Sequence, residues 1–432
     1  MLLDFWISHP KNTKKEVAFE HVFPNKKFTS KEWNLLTSRL FKLGEKYLAV
    51  REMLDNPVQQ KTFSSKGFRK KKMVSHYTTN FLEQRKLLQN QKLRNEEWLQ
   101  QYFYTELDYY DYIASHNRKQ RTNLQEVTDT LDAYYLANKF KIACLAIARQ
   151  NINQEQYDIK LLHHALRSVE ENKTLLDAPA VKVYYYCYQA ITQSADERWF
   201  PLLRKAMQEN QSCFPPSEQR DIFMLATNYC IRQLNTGKQN FMRETFELYR
   251  ISLDAGYLLE DGIMPESTFG NIATLAIRLQ EFEWTKQFIY ENQKFLKPVF
   301  QAPLYYFALG KLYYAKGQYQ ESLQHLVQVQ TKASFLLIGT KVLQLKIYFE
   351  QKELDALDSL LDSFRVYLQR QKALGYHKKN YEFLVYYVKR LLEFPAKSPE
   401  EQLAFKNEVL SNTSFTEKDW VLAQLENTAK NF

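Results

Sequence analysis

The chain has 432 residues, 45% of them apolar, with only 10 Gly and 12 Pro. That length suits two or three ordinary domains or one long solenoid, and so little glycine and proline argues against β-sandwiches and doubly wound α/β folds, whose turns need both. With 29 Tyr, 29 Phe and 6 Trp, the chain is too aromatic to be disordered throughout. The net charge of +10 is concentrated, because residues 1–100 carry 20 Lys and Arg against 10 Asp and Glu and the rest of the chain balances.

No run approaches the roughly 18 apolar residues of a membrane span. Met1–Ser8 is apolar but short and lacks a basic leader, so it does not read as a signal peptide. Cys144, Cys187, Cys213 and Cys230 show no CxxC spacing. They read as reduced, buried thiols of a cytoplasmic protein.

The first helix signal is Thr29-Ser30-Lys31-Glu32, a capping-box arrangement. After it Trp33, Leu36, Leu40, Leu43 and Tyr47 recur at helical steps as one apolar stripe. Asn56-Pro57 ends that helix, since the residue before proline leaves the α region. Residues 58–74 are polar and basic, with Lys66, Arg69, Lys70, Lys71 and Lys72 around Gly67, and are expected as a loop or linker. Helical character resumes near Ser75 and runs with breaks to about residue 395. Ser398-Pro399-Glu400-Glu401 and Thr416-Glu417-Lys418-Asp419 then announce two closing helices. Three regions are therefore expected: a basic N-terminal region at 1–74, a helical array at 75–395 and C-terminal capping helices at 396–432.

Within the array, residues 303–336 place Tyr306, Leu309, Gly310, Tyr313, Gly317, Tyr319, Ser322, Leu326 and Val329 at a distinctive spacing. Small Gly310 and Ser322 allow two antiparallel helices to touch backbone to backbone, the aromatics fill the space around them, and Gly317 suits a left-handed helix end. This pattern resembles the tetratricopeptide (TPR) repeat. Eroded copies follow at Tyr348, Leu354, Leu357 and Leu361, with Lys352 at the turn glycine's place, and precede at Ile272, Ala273, Ala276, Phe282, Thr285 and Ile289. Looser candidates lie around 130–170, 178–210 and 220–255. The expected fold is an all-α solenoid of helix–turn–helix repeats, a TPR-like right-handed superhelix behind a basic helical N-terminal region. The composition and the Phe23–Thr29 segment are also similar to TPR-like proteins of Bacteroidetes-type bacteria.

The chain lacks the P-loop, GxGxxG, GxSxG, HExxH and kinase motifs. Adjacent His163 and His164 point about 100° apart on a helix and have no Cys/His metal spacing around them. Asp355, Asp358 and Asp362 share a helix face that reads as solvated. No cofactor and no metal are expected.

The TPR resemblance implies that the first helix of each repeat lines a groove for a partner. Carried over, those positions are Arg278, Leu304, Phe307, Lys311, Tyr314, Ala315, Lys346, Phe349 and Glu350. The family's Asn/Lys carboxylate clamp would fall on Phe307, Lys311 and Ala315, of which only Lys311 is polar, so a mixed aromatic and cationic groove is implied. The leading expectation is a non-catalytic scaffold for a protein or peptide. Association with nucleic acid through the basic stretch, where Phe63 and Phe68 interleave with lysines, is the alternative, and an enzyme built from non-motif residues is a third.

Overall fold

A computed structural model describes residue 2 and residues 14–430, apart from 117–120, 154, 371–376, 395–397, 413, 414 and 416. Most of the apolar start and the Thr416 cap lie outside the described residues. Among the described residues there are twenty α-helices and no strand, only one isolated bridge between Glu260 and Ile263. The chain forms two compact units, Met1–Tyr229 and Cys230–Phe432.

Unit one contains α1 (Lys15–Val22), α2 (Ser30–Asp55), α3 (Pro57–Lys70), α4 (Val74–Asn90), α5 (Glu96–His116), α6 (Leu124–Asn153), α7 (Leu162–Glu171), α8 (Pro179–Thr192), α9 (Trp199–Glu209) and the start of α10 (Pro216–Asn235). Helix α2 begins as its cap predicts, with the Thr29 side chain accepting from the Glu32 amide at 3.3 Å. Phe28 and Trp33 close a hydrophobic staple over that turn. The apolar stripe is only half used. Trp33, Leu36 and Leu40 pack against Phe19 and Val22, whereas Leu43 and Tyr47 are exposed.

The stretch 58–74 corrects the expectation of a loop. Asn56 ends α2 and also starts α3, its side chain accepting from the amides of Val58 and Gln59 at 3.1 Å each, with Pro57 in the first turn. Val58 and Ser65 are buried, and Asn80 of α4 donates to the Ser65 hydroxyl at 2.8 Å. Those inward anchors make a helix of a segment whose other residues are polar. Lys72, at φ 56°, turns the chain directly into α4.

Unit two contains the rest of α10, then α11 (Phe241–Asp254), α12 (Glu266–Arg278), α13 (Phe282–Asn292), α14 (Pro298–Ala315), α15 (Tyr319–Val327), α16 (Ser334–Glu350), α17 (Leu354–Arg370), α18 (His377–Glu393), α19 (Pro399–Ser411) and α20 (Lys418–Lys430). Each of α12, α14 and α16 packs against the helix that follows it, and α14 also touches both α12 and α16. That neighbour and next-neighbour pattern is a stack of helix pairs, a helical-repeat solenoid.

The repeat is written in the backbone as well. Gln280, Gly317 and Lys352 all have left-handed φ, at 61°, 72° and 59°. After each, the following amide donates to the carbonyl five residues earlier: Glu281 to Ala276 O, Gln318 to Tyr313 O and Glu353 to Tyr348 O, each at 2.9 Å. This is the same Schellman-type stop three times over. The helix crossing sits where the small residues place it, with Ser322 Oγ donating to Gly310 O at 2.7 Å. The expected cap at Ser398 is present, since Ser398 and Glu401 make a full capping box. All four cysteines are free thiols, three buried and Cys213 half-buried. Among the described residues no helix is long and apolar enough to cross a membrane.

Candidate functional site

In unit two, the first helices of three successive pairs, α12, α14 and α16, open a cleft of about 380 Å³. Six of the expected groove residues meet there: Arg278, Phe307, Lys311, Tyr314, Ala315 and Lys346. A second cleft of about 460 Å³ shares Thr274, Phe307 and Lys311 with the first. Gly339 of α16 lets the two helices approach. A Cβ there would stand 2.7 Å from Phe307 Cζ.

Lys311 is the central residue. As a residue it is half-buried, but its ammonium lies deep in the cleft, where it donates to Thr274 Oγ1 at 2.6 Å. Phe307 presents its ring centroid 5.7 Å from the same nitrogen. Among the described residues no carboxylate comes within ion-pair distance of it. Burial pushes the Lys311 pKa down to about 8, Glu417's charge opposing that and the Lys346 charge adding to it.

Lys346 is engaged. It pairs with Glu417, and the Tyr314 and Trp420 rings lie 5.9 and 5.7 Å from its nitrogen. Glu417 sits just before α20 with a left-handed φ of 68°. Arg278 is exposed at the rim and donates to Gln239 Oε1 at 3.3 Å. Three cations therefore line a cleft that holds one carboxylate, and the walls between them are aromatic and aliphatic.

Glu350 does not line the cleft. It lies behind Tyr314 and accepts from Tyr314 OH, Tyr319 OH and Trp420 Nε1, each at 2.6 Å. Its part is to hold the Tyr314 ring, whose hydroxyl is driven far above its usual pKa by burial and the Glu350 charge. Leu304 is buried in the core and Phe349 packs on Trp420. Thr274, Gly339, Tyr381 and Glu417 were not read from the sequence. Thr274 occupies the place of Lys311 one repeat earlier, a signal that was available; Glu417 had none.

In unit one the basic residues fall on α3 and the elbow after it. Arg69 is bound to Asp108, whereas Lys66, Lys70, Lys71 and Lys72 are exposed and make no ion pair among the described residues. The acidic face at 355–362 is partly neutralised, because Lys389 donates to Asp362 at 3.0 Å. The His163 and His164 rings lie 3.8 Å apart, yet among the described residues no group of three His, Cys, Asp or Glu is placed to hold a metal ion. No protein-family model, no curated protein and no solved structure matches this chain.

Proposed function

We propose that the chain is a non-catalytic interaction scaffold of the TPR kind, working in the cytoplasm, whose unit-two cleft holds a segment of a partner protein or peptide. The observation that carries this reading is the Lys311 ammonium, buried against Thr274 with no carboxylate among the described residues at ion-pair distance. A buried cation is expensive to leave unpaired, and an acidic side chain of a partner would relieve that cost. Phe307, Tyr314 and the aliphatic wall supply the apolar contact that a peptide needs beside its charge. The three left-handed helix ends, spaced as helix-pair repeats, support the TPR kinship.

Panning a random peptide library against the full chain tests it. Peptides enriched on the wild type should carry an acidic residue flanked by apolar ones. They should be lost on Lys311→Met, provided that its far-UV spectrum and melting curve show a folded chain. No enrichment, or equal enrichment on the variant, would sink the reading.

A further inference from the structure

A second cleft lies wholly within unit one, where the end of α3, the start of α4 and the end of α5 meet, and it encloses about 470 Å³. Its cationic side is the elbow after α3. Residues 57–72 hold six Lys and Arg and no Asp or Glu. Two of the six are committed, Lys61 to Glu83 and Arg69 to Asp108, so the charge left without an ion pair among the described residues is that of Lys66, Lys70, Lys71 and Lys72.

The opposite side is a column of aromatic rings, of which Tyr77, Tyr112 and His116 line the cleft, each tilted by about 35° on the next. Phe81 stacks on Tyr109 at 3.9 Å and 7°, Tyr77 and Tyr112 lie 4.3 Å apart, and His116 closes the column 4.3 Å from Tyr112. Tyr77 is buried, with its hydroxyl donating to Asp108 at 2.9 Å, so it forms the floor. His116 is exposed at the mouth. Phe68 faces into the cleft and packs against His76, 5.6 Å between ring centroids.

We infer that this elbow is a seat for single-stranded nucleic acid, with phosphates along Lys66, Lys70, Lys71 and Lys72 and one base entering the cleft onto the Tyr112–His116 end of the ring column. Cations tracking a backbone beside aromatic rings that a base can reach, here half-buried Tyr112 and exposed His116, are what sequence-tolerant single-strand binding uses. An acidic peptide would answer the lysines but leave the ring column without a planar partner. A membrane surface would take up the exposed Phe63 and Val74 beside the lysines but would leave the Tyr112–His116 rings of the cleft without a planar partner. The inference stands on unit one and is independent of the unit-two cleft.

The test is fluorescence anisotropy of a labelled oligothymidylate of about 10 nucleotides with the full chain, within the usual footprint of such sites. Binding is expected at about 50 mM salt and should weaken as salt rises, with a log–log slope of about −0.7 for each phosphate contacted. Lys70→Gln with Lys71→Gln, both exposed, should weaken it about tenfold or more. His116→Ala should weaken oligonucleotide binding about fivefold or more while leaving inorganic polyphosphate binding unchanged. The inference is overturned by no oligonucleotide binding at that salt, by an unaffected double variant, or by His116→Ala acting equally on polyphosphate. Binding to anionic phosphatidylserine vesicles without binding to the oligonucleotide overturns it as well.

Discussion

Ser322 gives its hydroxyl proton to the carbonyl of Gly310 at 2.7 Å, and a Cβ on Gly310 would lie 2.6 Å from Leu326 Cδ2 and 2.9 Å from its Cγ. Leu326 is buried, so its side chain has no free space to retreat into. Gly310→Ala should therefore destabilise the chain by about 1–3 kcal/mol through overpacking, and Gly310→Leu by more. Urea unfolding measures this, and an unchanged midpoint for both variants would remove the close crossing of α14 and α15 from the account.

The amine of Lys311 gives a pH signature. Its folded pKa of about 8 is below the usual lysine value, so the unfolded chain binds the extra proton between those two values. The penalty for burying the charge is fully present below about pH 8 and fades as pH rises toward the unfolded pKa. Lys311→Met should accordingly stabilise the chain near neutrality by roughly 1–3 kcal/mol, with the gain shrinking above pH 8. A gain independent of pH would contradict a buried ammonium. For the same reason, capture of an anionic ligand should weaken as pH passes 8.

Lys141 joins two carboxylates in unit one, reaching Glu96 Oε1 at 2.6 Å and Glu218 Oε1 at 3.0 Å. Glu218 also accepts from Tyr184 OH at 2.7 Å and Asn95 Nδ2 at 2.9 Å, which ties α5, α6, α8 and α10 to one side chain. Burial alone would raise the Glu218 pKa; the Tyr184 and Asn95 hydrogen bonds and the Lys141 charge outweigh it and leave the pKa lowered. For Glu96 burial prevails, and its pKa is raised. Lys141→Met strands two adjacent carboxylates and should cost about 3–5 kcal/mol near neutrality. The deficit should narrow in acid, where a proton on Glu96 relieves the repulsion. Thermal melts at pH 7 and pH 5 make the comparison, and an equal loss at both would refute the electrostatic explanation.

Asn56 serves two helices at once. Asn56→Ala should cost about 1 kcal/mol by uncapping α3. Hydrogen exchange should speed up over residues 57–62 and leave α4 unaltered. Protection unchanged in that segment would mean that Pro57 and the Val58 anchor start α3 unaided.

Much of the solenoid was legible because steric necessity leaves visible residues. Gly310, Ser322 and Gly317 each stand where a larger side chain or a right-handed backbone would not fit, whereas the groove residues came only from the TPR resemblance. The misreadings have equally local causes. Helix α3 looked like a loop because its cations hide the few inward contacts, Val58 and Ser65, that make it a helix. Glu350 stands one turn past Lys346 on the same helix face, but its carboxylate is taken up by three donors outside the cleft. Glu417 reaches Lys346 from a segment remote in the chain, and no periodicity links the two.

The left-handed stops at Gln280 and Lys352 are held by main-chain hydrogen bonds alone, in the same geometry as Gly317. Architecture here is thus uncoupled from its most recognisable letter. A search keyed to that glycine would pass over two of these three turns, although all three stop their helices in the same way.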